Sequence, residues 1–247
     1  MSSDGYNYGS VTGGNVQLGG TGNMMSVGMA ETPAREEARG RRGGGGAPED
    51  ALYAFADIVS YSRFDARLQE VSQGYLAKVL DDGISEARVS PEDVTWQDQG
   101  DARMMKFPAS TDVGRVLAMM PRHVNAELLA RNQDMVPRAR LRIRLAFTMG
   151  VSAPGATGLV GSAPIAVARL VNWPPFRRAM TESGRAQVGL IIDDYLFGQF
   201  VNQRFRSDND PGDFTRVRVT DSVKGFDAYA WVKLFGYVGK QAAPLLS

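Results

Sequence analysis

The sequence has no cysteine, a single histidine and no long hydrophobic run. The lack of cysteine excludes disulfides, thiolate metal sites and cysteine nucleophiles, and the lone His123 gives no support to a Ser-His-Asp triad. No run approaches the roughly 18 apolar residues of a membrane span. The first residues show no basic region followed by an apolar one, so we expect no secretory signal and a cytoplasmic protein. A formal net charge of only +1 gives no electrostatic reason to expect a nucleic-acid partner.

Glycine divides the chain into unlike parts. Of its 28 glycines, 13 lie in the first 50 residues, a stretch poor in large aliphatic side chains. Such a stretch cannot bury enough apolar surface to offset its ordering entropy. We therefore expect a low-complexity segment over residues 1–29, a flexible charged linker over residues 30–50 and a globular domain over residues 51–247.

The globular part alternates strand and helix patterns. An apolar strand pattern around Asp57 is followed by helical spacing over residues 63–82 and a hairpin pattern around residues 94–107. A second helix over residues 112–132 and a strand near residues 141–150 complete the order β-α-β-β-α-β, with further strands towards the C-terminus. This order predicts an α+β fold with a ferredoxin-like core.

Two aspartates stand out in this pattern. Asp57 interrupts an apolar strand, where a carboxylate is costly unless it is paired, hydrogen-bonded or bound to metal. Asp101 lies at the predicted hairpin tip, 44 residues later. Neighbouring strands would bring both carboxylates to one end of the sheet, where Mg²⁺ or Mn²⁺ would suit two oxygen ligands. The alternative is two unrelated aspartates, one at a strand end and one in a turn.

Five segments, in order, resemble the motifs of class III adenylate and guanylate cyclases: FADIVSYS, QGDARMMKFP, RLRIRLAFTMG, GLVGSAPIAVARL and VKGF. The resemblance covers about residues 52–234 and implies that the chain converts a nucleoside triphosphate to a 3′,5′-cyclic nucleotide and pyrophosphate. It also implies a homodimer, with metal ligands from one subunit and a transition-state arginine from the other.

The resemblance assigns a role to individual positions. Asp57, Asp101 and the backbone carbonyl of Ile58 would bind two Mg²⁺ or Mn²⁺ ions, and Arg169 would stabilise the transition state. The substrate-binding positions form a larger set: Val59, Ser60, Tyr61, Ser62, Gln97, Ser162 and Lys224. In that set the turn 59–62 and Lys224 would contact phosphates, whereas Gln97 and Ser162 would select the base.

Three positions depart from the family pattern. Ile165 stands where the family has a transition-state asparagine, although Asn172 lies nearby. Gln97 matches neither the usual lysine of adenylate cyclases nor the glutamate of guanylate cyclases, and Ser162 replaces a common aspartate. The departures at Gln97 and Ser162 resemble the pattern of the pyrimidine cyclases of bacterial anti-phage systems of the Pycsar kind. The departure at Ile165 favours an alternative hypothesis, a catalytically silent module that binds a nucleotide or only dimerises.

The N-terminal segment contains the stretch VTGGNVQLG, which resembles the short amyloid motifs of bacterial signalling proteins, themselves similar to the RIP homotypic interaction motif. Low charge, no proline and side-chain amides suit a cross-β stack. The resemblance implies templating by a sensor, often a STAND-class NTPase, and a role in defence. A disordered tail is the alternative.

Overall fold

The fold is an eight-stranded mixed sheet with helices on both faces, within the residues that the structure describes: 49–156, 158–203, 209–223 and 225–247 in a computed structural model. Its strands are β1 (Glu49–Ile58), β2 (Thr95–Asp98), β3 (Ala102–Lys106), β4 (Ile143–Gly155), β5 (Gly158–Gly161), β6 (Val188–Asp193), β7 (Thr215–Asp221) and β8 (Phe226–Leu234). Its helices are α1 (Ala66–Glu86), α2 (Val113–Gln133), α3 (Ser162–Val171), α4 (Pro174–Glu182), α5 (Asp194–Leu196) and α6 (Gly239–Ala242).

The sheet order is β2-β3-β1-β4-β6-β8-β7, with β5 paired to the far end of β4. Strands β1, β3 and β4 pair antiparallel, and β6 is parallel to β4. The order β1-α1-β2-β3-α2-β4 and the central place of β1 confirm the predicted ferredoxin-like core with added C-terminal strands. This arrangement puts the end of β1 beside the β2–β3 turn.

Alternation along β1 separates two hydrophobic layers. Leu52, Ala54, Ala56 and Ile58 face α1 and α2, whereas Ala51, Tyr53 and Phe55 face the layer of α3 and α4. Because side chains alternate along a strand, Asp57 falls on the α3–α4 face.

Helix starts follow local capping. The Asp65 carboxylate accepts a hydrogen bond from the Leu68 amide (2.9 Å), and Asp112 accepts one from Arg115 (2.9 Å). These caps satisfy amides that a helix start otherwise leaves without partners. Helix α1 begins three residues later than predicted, and α2 begins and ends one residue later than predicted.

Strand β5 and helix α4 are among the elements that sequence analysis missed. Strand β4 runs five residues beyond the predicted end and turns into β5, which makes a projecting hairpin. Helix α4 begins at Pro174-Pro175, which looks like a helix breaker. Proline is tolerated in the first helical turn because amides there need no intrahelical partner, so a helix follows directly.

The N-terminal segment and nearly all of the expected linker lie outside the described residues. In the part of the chain that is described, no helix is long and apolar enough to span a bilayer.

Candidate active site

Asp57 lies at the end of β1 and is 8% exposed. Its register partner on β4 is Arg144, itself 4% exposed, on the same face of the sheet. The guanidinium donates from Nε to Asp57 Oδ1 (3.1 Å), and from Nη2 to the same oxygen. The carboxylate is therefore held in a buried ion pair, the costly kind of charge placement that requires good geometry.

Burial raises the pKa of the Asp57 carboxyl, and the negative charge of Asp101 raises it further, while Arg144 and Arg177 act in the opposite direction. Burial is the largest single cause, and the pKa of Asp57 is raised in spite of the two cations. A further positive charge beside Asp57 would be electrostatically favourable.

Asp101 follows the tip of the β2–β3 hairpin. The Gln99 amide donates to the Ala102 carbonyl (2.8 Å), and Gly100 between them has φ +73°, a conformation that favours glycine. The Asp101 carbonyl accepts from the Ile58 amide (3.1 Å). The backbone of Asp101 is thereby bonded to Ile58, the residue that follows Asp57.

Gln73 on α1 connects the two loops. Its Nε2 donates to the Gly100 carbonyl (3.1 Å) and to the Tyr61 hydroxyl (2.8 Å). One exposed side chain therefore ties the hairpin tip to the turn after β1. Sequence analysis missed this positioning role because nothing in a single helical glutamine indicates it.

Arg144 was missed as well, although a signal existed. Arg140, Arg142 and Arg144 occupy every second position of RLRIRLAF. In a strand these side chains share one face, and β1 is the neighbour. An inward arginine opposite Asp57 could have been predicted from the register of the two strands.

The turn after β1 has unusual backbone geometry. Ser60 adopts a left-handed conformation (φ 59°, ψ 30°), rare for a residue other than glycine. The Val59 amide donates to the Arg142 carbonyl (2.9 Å), which fixes the turn against β4. Tyr61–Arg63 then form one 3-10 turn, and the amide of Arg63 bonds back to Ser60 (3.0 Å). Val59, Ser60, Tyr61 and Ser62 thus lie together between β1 and α1.

The donor set at Asp57 and Asp101 fits a divalent cation in its chemistry, since it offers the carboxylate oxygens that such ions prefer, and Arg144 bonds to only one oxygen of Asp57. Among the described residues, no group of three or more acidic, histidine or cysteine side chains could hold a metal ion. The two carboxylates would therefore need backbone or substrate oxygens to complete the coordination.

Arg169 lies on α3, the helix that packs against β1 and β4. It lines a cleft of about 860 Å³ between α3, the start of α4 and the β7–β8 hairpin. Its guanidinium lies 5.1 Å from the centre of the Phe226 ring. Neither Asp57 nor Asp101 lines this cleft.

Ile165 and Asn172 line the same cleft as Arg169. Ile165 is 52% exposed, so an aliphatic side chain faces solvent there. The Asn172 side chain donates to the Ala168 carbonyl (3.0 Å) at the end of α3. The structure therefore brings both residues to the edge of one cavity, with Asn172 engaged with its own helix.

The two expected base-selecting positions adjoin β5. Gln97 lies on β2, and its Oε1 accepts a hydrogen bond from the Leu159 amide (3.3 Å). Ser162, exposed, is the first residue of α3 and follows β5 directly. Lys224 lies outside the described residues.

Comparison with known proteins identifies the fold. No family model and no curated protein matches the chain. Solved structures do match: a bacterial light-regulated adenylyl cyclase at TM-score 0.55 and 15% identity, over 83% of this chain and 58% of that one. The chain thus spans little more than half of that protein. The guanylyl cyclase Cya2 matches at TM-score 0.54 and 16% identity, over 79% of this chain and 96% of that one.

A third structure, an adenylate/guanylate cyclase/hydrolase from Silicibacter pomeroyi, matches at TM-score 0.52 and 17% identity, over 75% of this chain and 98% of that one. The described domain has the fold of adenylyl and guanylyl cyclases. At these identities the likeness extends to the fold alone, so the chemistry must be argued from this chain's own residues.

Proposed function

We propose that the chain is a metal-dependent nucleotidyl cyclase that converts a nucleoside triphosphate to a 3′,5′-cyclic nucleotide and pyrophosphate. The observation that carries the proposal is the convergence of Asp57 and Asp101 at one end of a cyclase-fold sheet, through the Ile58–Asp101 backbone bond. Two oxygen-donor carboxylates at a partly desolvated position suit the binding of a metal–triphosphate.

The reaction forms a bond from the ribose 3′-oxygen to the α-phosphorus and breaks the bond from the α-phosphorus to the bridging oxygen. The hydroxyl proton passes to water, and pyrophosphate leaves with the electron pair. When bound, two Mg²⁺ or Mn²⁺ ions would activate the 3′-hydroxyl and neutralise phosphate charge. Asp57, Asp101 and the Ile58 carbonyl would hold them.

The turn Val59–Ser62 and Lys224 would bind the phosphate chain in this proposal. The left-handed Ser60 supports that role, because strained backbone at a loop end often serves a ligand. Arg169 would stabilise the negative charge that develops at the α-phosphate.

The proposal requires a homodimer. Arg169 lines a cleft that contains neither aspartate. In a two-fold interface a residue i of one copy contacts a residue j of the other, and the reverse contact forms as well, so the aspartates of each copy could face Arg169 of its partner. Each dimer would then hold two composite sites.

A catalytically silent module is the second candidate. Two observations favour it: Arg144 already compensates part of the Asp57 charge, and an exposed Ile165 replaces a hydrogen-bonding residue in the cleft. Such a module would bind a nucleotide without turning it over.

Incubation with each of the four nucleoside triphosphates and Mn²⁺, followed by mass spectrometry, separates the two candidates. The cyclase should form a cyclic nucleotide from at least one substrate, and the departures at Gln97 and Ser162 make CTP and UTP essential arms. Nucleotide binding with no cyclic product from any of the four would support the silent module.

The N-terminal motif supports a further part of the proposal, in which the chain acts as a signalling or defence effector. Stacking of residues 1–29, templated by a STAND-type sensor, would raise the local concentration of cyclase domains through the linker. Because each site needs two copies, clustering would raise activity. Thioflavin-positive fibres should form from a peptide of residues 1–30; a peptide that stays soluble after seeding contradicts this mode of control.

A further inference from the structure

A cleft of about 400 Å³ lies at the end of the sheet opposite Asp57, and its volume is within the range of small-molecule sites. Asp57 pairs with Ala102 at the start of β3, whereas the cleft lies beyond Lys106 at the end of that strand. The turn after α1, the 3-10 turn before β2 and the loop between β3 and α2 form its walls. Among the described residues that line it, none belongs to the candidate active site.

Arg88, at the rim of this cleft, has a backbone conformation that usually belongs to glycine. It follows the last turn of α1 with φ +61°. Its amide donates to the Ser85 carbonyl (2.8 Å). The next amide, that of Val89, donates to the Ile84 carbonyl (3.2 Å), which completes a Schellman helix end. A side chain is strained at this position, so an arginine kept there beside a cleft points to a role for its guanidinium.

Arg115, on the first turn of α2, brings a second guanidinium to the cleft. Its Nη2 donates to the Glu86 carbonyl over a long 3.5 Å, and its Nε is buried with no acceptor among the described residues. The hydroxyl of Thr111, which also lines the cleft, is buried without a partner in the same part of the chain. Because buried polar groups are normally hydrogen-bonded, both side chains have donors that a bound oxygen could use after a small rotation.

Two carboxylates also line the cleft, and they differ in what they already do. Asp112 caps α2 by accepting from the Arg115 amide (2.9 Å). Asp93 is exposed on the 3-10 turn before β2 and can accept hydrogen bonds from hydroxyl groups. Among the described residues, neither Arg88 nor Arg115 forms an ion pair with a carboxylate. The remaining polar side chains of the lining are Ser90 and Ser110.

Two guanidinium groups suit a phosphate, whose oxygens can accept parallel hydrogen bonds from each of them. The cleft is larger than a phosphate group alone, and an acidic acceptor at its rim suits a ligand that also carries hydroxyl groups. We propose that this cleft binds a small hydroxylated phosphomonoester, of the sugar phosphate class. Arg88, Arg115 and Thr111 would hold the phosphate, and Asp93 would accept from a hydroxyl. The proposal does not depend on cyclase activity, because the cleft lies at the other end of the sheet.

Titration calorimetry of the full chain with ribose 5-phosphate in EDTA tests the proposal, since EDTA suppresses binding through a metal ion. Wild-type protein should bind ribose 5-phosphate more tightly than inorganic phosphate, and both more tightly than acetate. If inorganic phosphate binds as tightly as the ester, the cleft takes the phosphate group alone and the role of Asp93 is overturned. If acetate binds as tightly as phosphate, the assignment to phosphate compounds is overturned.

Arg88→Gly is the most informative variant, because the backbone at this position already suits glycine. It should weaken binding of ribose 5-phosphate about tenfold or more, as expected for the loss of charge-assisted hydrogen bonds. It should also raise the melting temperature by about 2–4 °C by removing the strain. Weaker binding in a more stable protein cannot result from unfolding. Arg115→Gln should weaken binding to a similar degree.

The matched control is Arg218→Gln, which removes the same charge from an exposed position of β7, at the opposite edge of the sheet from β2. Binding that is weakened in Arg88→Gly and Arg115→Gln and kept in this control supports the site. No binding by wild type, or equal weakening in Arg88→Gly and Arg218→Gln, overturns it. None of these measurements requires turnover, so a chain without cyclase activity can still pass the test.

Discussion

Asp57 occupies a register position in a buried strand, whereas Arg169 lies on a helix beside an open cleft. The strand half of the proposed site, Asp57 and Asp101, is fixed by the pairing of β1 with β3 and β4, by the Ile58–Asp101 backbone bond and by Arg144. The helix half of the proposed site is Arg169 with its neighbours on α3. It has an exposed Ile165 and borders the cleft between α3, α4 and the β7–β8 hairpin. The strand half is thus preorganised within a single chain. The helix half is an open surface that, in the proposed dimer, a second copy would cover.

This difference predicts that Arg144 is mainly a structural requirement of the strand half. Arg144→Leu should lower the free energy of unfolding by about 3–5 kcal/mol, because it leaves Asp57 buried without its partner. Arg218→Leu removes an arginine from the exposed pair with Asp227 and should leave the free energy of unfolding nearly unchanged, because water screens such a pair. Urea denaturation of both variants measures the contrast; equal losses would mean that the Asp57 pair is solvated.

Asp101 tests the strand half with less disturbance of the core. In the proposed cyclase, Asp101→Asn should reduce turnover at least about a hundredfold, or roughly 2.7 kcal/mol of barrier, while leaving the unfolding free energy nearly unchanged. Asp98→Asn alters an exposed aspartate of the same hairpin that pairs with Arg103 and should retain most activity. Similar rates for the two variants would argue against a metal role for Asp101.

Ile165 tests the helix half. Restoring a hydrogen-bonding side chain with Ile165→Asn should raise turnover about tenfold, a modest part of what a well-placed donor contributes. Val71→Asn, at a similarly exposed aliphatic position of α1, should not change it. An unchanged rate for Ile165→Asn would place the missing donor elsewhere, with Asn172 as the residue to test.

The smallest predicted effect is a pH dependence of the free energy of unfolding, and it comes from Asp193, which lies outside the candidate site. Its carboxylate accepts hydrogen bonds from Thr148, Met149 and Leu196, yet burial raises its pKa. Just above the usual aspartate value, about pH 4, the native state keeps a proton that the unfolded chain has lost. Stability therefore falls as pH rises through this window and stays reduced above the raised pKa.

Asp193→Asn removes that contribution, so the difference in unfolding free energy between variant and wild type should shift in favour of the variant from pH 4 to pH 7. Asp134→Asn, at the exposed end of α2, is the control. A constant difference across this range would mean that the Asp193 pKa is not raised.

The strand half could be predicted because period-two alternation and the hairpin turn at Gly100 determine which residues meet. Arg144 could have been included by the same reasoning. Gln73 could not, because its two bonds join loops 27 and 12 residues away. Helix α4 was hidden by Pro174-Pro175, which sequence analysis takes as a break and the structure uses as a helix start.

Complementation between two inactive variants tests the composite dimeric site most directly. Asp101→Asn and Arg169→Ala should each be inactive alone, because each damages both sites of its homodimer. Mixing them allows heterodimers with one intact site, so cyclic product measured by mass spectrometry should return to about a quarter of the wild-type rate. No recovery, although heterodimers form and each variant is folded, would contradict a site shared between two copies.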